Sequence, residues 1–233
     1  MESKRLTALV SSATLAVVNH RRHPMSPDSA AAPKKNPKAE NHVRSPRGRE
    51  SPIKRDSLGR EHRLLRAATR IDHAILDRMM LRMDLGARRD YGIFLHIHYG
   101  VLQTLEPYWR DEDREDFFGM LHAVKQDIQA LGAATPSISP VVHRPLLMSN
   151  KWGVAYVLRG SRLGTQFLRR GIPSGLPTAY FDFTPALTWL RFLEQLELIP
   201  ADPNGASDDL IHGARVAFEI FTNVFTQALA GQP

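Results

Sequence analysis

Residues 57–83 read SLGREHRLLRAATRIDHAILDRMMLRM, and this stretch decides the fold class. It holds no Pro, and Leu65, Ala68, Ile75, Leu76 and Met79 recur at the three- to four-residue step of one helix face. Working outward, the same spacing predicts a second helix from about Arg88 to Trp109, with Tyr91, Leu95, Val101, Leu102 and Leu105 inside it. A third opens on DEDRED, whose acids suit the positive end of a helix dipole, and continues through Phe117, Leu121, Val124, Ile128 and Leu131. DEDRED otherwise reads as a solvated face. After a loop with Pro136, Pro140 and Pro145, a fourth helix is expected from about Ser149 to Arg169. A fifth should start at Thr184 as N-cap with Pro185 in the first position and run to about Glu197. The last should start at Ser207, with Leu210, Ala214, Ala217, Phe218, Phe221 and Phe225 on one face. No window alternates with period two. The expectation is therefore all-α, a single domain of about six main helices over residues 57–233, with no internal repeat.

Upstream the pattern stops. Residues 1–56 carry 12 Lys/Arg, 5 Asp/Glu and 6 Pro, but no aromatic residue. The remaining residues carry 19 Lys/Arg and 19 Asp/Glu, so the net charge of +7 belongs to the first quarter of the chain. Such a segment buries too little apolar surface to offset its ordering entropy, and 1–56 is expected to be a disordered basic extension. RSPRGRESPIKR within it could touch nucleic acid or anionic lipid, but a solvated tail is the plainer reading, and no specific nucleic-acid partner is expected. The run from Leu6 to Val18 loosely imitates a signal peptide. It is broken by Thr7, Ser11, Ser12 and Thr14, and no small-x-small cleavage site follows. An extension, or a start at Met25, fits better. Deleting 1–56 is expected to leave melting temperature, ligand affinity and turnover unchanged, a result that calorimetry and activity assays on the truncated chain would check.

Several chemistries are excluded or find no signature. The chain has no Cys, which removes disulfides, thiolate nucleophiles, Cys-ligated zinc and iron–sulfur clusters. There is no P-loop, dinucleotide fingerprint or H-E-x-x-H. GSRLG lacks the G-x-S-x-G order of a nucleophile elbow. His96 and His98 are two apart, so on a helix they face different sides. No apolar run reaches membrane-spanning length, and a cytoplasmic location is expected.

Two features remain. At 100° per residue His73 shares a stripe with Arg66, Thr69, Leu76 and Met80. Arg66, seven residues earlier, would sit roughly 10 Å along a straight helix. An imidazole with a fixed cation at that distance suits haem: the ring on the iron, the guanidinium on a propionate. A structural histidine is the bland alternative. The second feature is Gly160 and Gly164, one turn apart mid-helix, with Gly153 before them. Each interior Gly costs about 1 kcal/mol relative to Ala. Either the helix packs tightly there, or a flat ligand lies where a Cβ would collide with it.

LLRAATRIDHAILD (Leu64–Asp77) and YVLRGSRLGTQFL (Tyr156–Leu168) together resemble the proximal and distal signatures of the biliverdin-producing haem oxygenases, especially the bacterial branch associated with bacteriophytochromes. AFEIFTNVF (Ala217–Phe225) is similar to the family's C-terminal helix. The resemblance spans about residues 60–230. It implies a single-domain helical bundle with haem between a proximal and a distal helix. It also implies His73 as iron ligand, Arg66, Thr69, Tyr156, Arg191 and Phe218 as further haem contacts, and Gly160, Ser161 and Gly164 as catalytic positions. The implied reaction uses O2 and electrons from a donor such as ferredoxin or ascorbate, delivered by a redox partner protein. Haem, at once substrate and cofactor, would become biliverdin, CO and ferrous iron, with a bacteriophytochrome as one recipient of the biliverdin. Three positions depart from the pattern. Arg159 stands where relatives usually carry Glu, Thr165 where many carry Gly, and Ser161, as in this bacterial branch, where the animal enzymes carry Asp. Arg159 and Thr165 are the support for an alternative, a non-degrading haem carrier or sensor of the same fold.

Overall fold

The computed structural model describes residues 59–133, 148–199 and 206–230. The extension expected over 1–56 and the connections around 134–147 and 200–205 lie outside the described residues. Among those described there are eight α-helices and no strand, so the all-α expectation holds. In chain order they are α1 Arg60–Ala68, α2 Arg70–Met80, α3 Arg88–Leu105, α4 Arg114–Ala130, α5 Met148–Leu168, α6 Ala179–Asp182, α7 Trp189–Leu196 and α8 Ala206–Ala230. No described helix is long and apolar enough to cross a membrane.

The core is built on α3, α5 and α8. On α8, Leu210, Ala214, Ala217, Phe218, Phe221 and Phe225 are all buried, as their spacing requires. α5 lies along α8, and two glycines set how closely. A Cβ on Gly153 would run into the Leu210 carbonyl and the Ala214 amide, and one on Gly213 into the Asn150 backbone. α3 packs on α8 and α4, and α1 and α2 also lie against α8.

The expected first helix bends at Thr69. The Thr69 Oγ1 donates to the Leu65 carbonyl at 2.8 Å, while the Thr69 and His73 amides keep their i−4 bonds. Back-bonding of this kind bends helices. The second helix ends at Leu105, before Pro107, and passes into the short 3-10 turn Glu106–Tyr108.

DEDRED departs from its solvated reading. Asp113 is fully buried and Asp116 nearly so, while Asp111, Glu112 and Glu115 face solvent. The Asp113 carboxylate lies 2.9 Å from Arg110 Nε and accepts from Arg159 Nη2 at 2.7 Å. Asp116 accepts from Arg159 Nη2 at 2.9 Å and from the Ala186 and Leu187 amides at 2.6 and 3.2 Å. Arg159 Nη1 completes the network on the Leu187 carbonyl at 2.8 Å. These contacts hold residues 184–187 outside any helix and explain why Thr184 and Pro185 do not start one. The cap is Thr188, whose hydroxyl accepts from the Arg191 amide. Ser207 likewise lies within α8, its hydroxyl donating to Glu61 at 3.3 Å.

Asp113→Ala would leave two buried guanidinium groups short of a counter-charge, and such losses cost about 3–5 kcal/mol. Asp111→Ala, on the exposed side of the same run, should stay within about 0.5 kcal/mol of wild type. Thermal and denaturant unfolding of the two variants side by side checks this.

Candidate functional site

His73 sits on α2, a helix with no fully buried residue. Its Nδ1 lies 2.9 Å from Asp77 Oδ2, one turn on, and its ring packs edge-on against Phe218 of α8 at 5.9 Å between centroids. A carboxylate on Nδ1 favours the tautomer with Nδ1–H and leaves the Nε2 lone pair for a ligand. The His73 side chain is 44% exposed. Among the described residues no three His, Asp or Glu side chains gather to hold a bare ion. A single fixed imidazole suits a metal that brings its remaining ligands with it, as a porphyrin iron does.

The α5 stripe Tyr156, Gly160, Leu163, Gly164 and Phe167 is only partly covered and carries no charge. Among the described residues a Cβ on Gly160 would meet only Trp189, at 3.8 Å, and one on Gly164 would meet nothing within 4 Å. Tight helix packing therefore accounts for Gly153 and Gly213, but not for Gly160 and Gly164. α2 itself packs chiefly on α8 and α1 rather than on α5, so neither its His73 face nor the glycine stripe is sealed by the other.

The remaining residues divide. Arg66 is half-buried, and its charge acts on both His62 and Tyr156, although the bend at Thr69 replaces the straight-helix estimate of its position. No carboxylate pairs with Arg66 among the described residues. Burial pushes the Tyr156 hydroxyl up to about 12, against the opposing charge of Arg66. Thr69 is buried and bonded to its own helix, so it serves the bend rather than a ligand. Ser161 Oγ donates to the Leu158 carbonyl at 2.8 Å and can offer a neighbouring water only its lone pairs. Arg191 is at the surface, paired with Glu194 at 2.8 Å on its own helix, and no contact brings it to His73 or Arg66.

Arg159, Arg162 and Thr165 form the opposite, buried side of α5. Arg162 donates to Thr165 Oγ1 at 2.8 Å and to the Phe181 and Phe183 carbonyls. The two departures at Arg159 and Thr165 thus point into the core, away from the glycine stripe. His98 is buried against the Tyr180 hydroxyl at 2.8 Å, and burial lowers its pKa to about 3. It is a neutral core histidine.

Three participants escaped the sequence reading. Asp77 could have been found from its i, i+4 spacing to His73. His62, one turn before Arg66, could have been found the same way. Trp189, which packs on Tyr156 at 5.4 Å, arrives from a distant segment and leaves no local signal. No family model and no curated protein matches the chain.

Proposed function

We propose that the protein is a haem oxygenase, converting haem to biliverdin, CO and ferrous iron with O2 and electrons from an external donor such as ferredoxin or ascorbate. What carries this reading is two partly uncovered faces, one on α2 and one on α5. The first presents a half-exposed imidazole held by Asp77 and Phe218; the second presents two helix glycines that packing among the described residues does not require. When bound, haem supplies both a redox-active iron and the ring that is cleaved.

The chain's own residues divide the remaining work. Asp77 holds a proton on His73 Nδ1 and so leaves the Nε2 lone pair to face a ligand. As a ligand, a neutral imidazole would donate less electron density than a thiolate. The backbone at Gly160 and Gly164 can approach a flat ligand closely, since neither residue carries a Cβ. Apart from the Tyr156 phenol, whose pKa burial raises, no acid or base side chain lies on that stripe, which leaves water as the proton carrier, with Ser161 Oγ as an acceptor. Arg66, which no carboxylate matches among the described residues, supplies a cation for a propionate. The surrounding architecture is read as the haem-oxygenase-like bundle, and a bacteriophytochrome as one destination for the product.

Adding hemin to purified protein should produce a Soret band. Ascorbate, or ferredoxin with its reductase, in air should then replace that band with biliverdin absorbance. A Soret band that persists under reductant would assign a carrier or sensor instead, and no spectral change on mixing would exclude both.

A further inference from the structure

Beside Arg66 lies a buried histidine with an unsatisfied ring nitrogen. His62 is 7% exposed, and its Nδ1 has no hydrogen-bond partner among the described residues. Its ring packs against Tyr156 at 5.7 Å and Trp189 at 6.1 Å, and Trp189 is the side chain that a Cβ on Gly160 would touch. The cluster therefore adjoins the open glycine stripe. A buried polar atom without a partner is costly, and a native structure that keeps one gives grounds to expect a ligand there.

The charges around it define which ligand. On α1, Arg66 and Arg63 face His62; α5 contributes the Tyr156 ring, and the end of α7 contributes Glu197. The Glu197 carboxylate already accepts from the Glu61 and His62 backbone amides at 3.2 and 2.9 Å, capping α1. It is committed to the backbone rather than to the ring. Arg66 has no acidic partner among the described residues. The cluster thus combines an unmatched cation, a protonatable nitrogen and a phenol, which is a receptor for a carboxylate.

We infer that His62, with Arg66 and Tyr156, forms the carboxylate-recognition site of this protein and takes up a proton when a carboxylate-bearing planar ligand binds. The inference rests on the reading of the glycine stripe as a haem-binding face. In the free protein, burial and the Arg66 charge hold the imidazole below its ordinary value, with Glu197 opposing. It is then neutral at neutral pH. An arriving carboxylate favours the protonated ring and raises its pKa. Binding therefore consumes a proton, and affinity falls as pH rises between the two pKa values, by at most about tenfold per pH unit for one proton. His62 acts as a specificity-determining group, not a catalytic one.

Metal-free protoporphyrin IX isolates this effect, because it carries the carboxylates without iron and so removes coordination by His73. Its dimethyl ester is the control. Binding to the full chain is read by tryptophan fluorescence quenching from about pH 6 to 8, for wild type, His62→Gln and His62→Asn, with melting curves reporting that each variant folds. The expected result is a several-fold loss of diacid affinity per pH unit in wild type, a flat profile for the ester, and loss of the slope in both variants. Equal profiles for diacid and ester in wild type would overturn the inference without using any variant, as would a slope retained by the variants. If hemin then still gives a His73-dependent spectrum, the haem reading stands alone. Failure of both porphyrins and of hemin to bind would overturn the two together.

Discussion

His73→Ala should abolish biliverdin formation while leaving the fold in place. The side chain is half-exposed and its contacts are Asp77 and Phe218, so its loss opens no deep cavity. Hemin should still bind through its apolar ring but lose the histidine-ligated spectrum, and turnover should drop to background. Asp77→Asn should retain ligation but weaken affinity or activity by about 10–100-fold, the usual effect of removing an outer carboxylate from a ligating histidine. Hemin titrations, spectra of the complexes and product yields on both variants, beside their melting temperatures, check this. Wild-type spectra and turnover in His73→Ala would mean that another histidine binds the iron.

Gly164→Leu should separate binding from chemistry. The four added carbons occupy the open face of α5, where a Cβ meets nothing within 4 Å. Hemin should still bind through His73, but biliverdin yield should fall far more than hemin affinity. Gly164→Ala should act in the same direction more mildly. Its apo stability should rise, because Ala favours a helix interior by about 1 kcal/mol and no neighbour is displaced. Gly153→Ala is the contrast: its Cβ strikes the α8 backbone, so it should lower stability outright. Apo melting temperature, hemin affinity and yield per loaded protein, measured on all three, check the pattern. A drop in stability with unchanged yield for Gly164→Ala would remove α5 from the site.

The helices were legible because burial imposes a 3.6-residue period, and α8 shows how far that goes: each apolar residue picked from its stripe is buried. What the period could not show was where irregular chain is pinned by distant charge. Thr184–Pro185 is a good local start signal, but the buried Asp116 takes the Ala186 and Leu187 amides and moves the start to Thr188. Ser207 failed as a cap for a related reason, since its hydroxyl reaches Glu61 on α1. DEDRED looked solvated because composition does not reveal that Arg110 and Arg159 lie within reach.

For the site, His73 and the glycine pair could be singled out from spacing, but spacing alone left both glycine explanations open. The geometry separates them, assigning Gly153 to packing and leaving Gly160 and Gly164 without that reason. Arg191 shows the opposite case, a cation suggested by resemblance that lies on the surface with Glu194.

The central claim is that His73 and the Gly160–Gly164 face grip the same flat molecule from opposite sides. A crystal structure of the hemin complex tests it most directly. The account predicts iron bonded to His73 Nε2, the α5 backbone at Gly160 and Gly164 against the opposite face of the ring, and a propionate at Arg66. Iron bonded to a different histidine, or a porphyrin lying away from the α5 glycines, would contradict it.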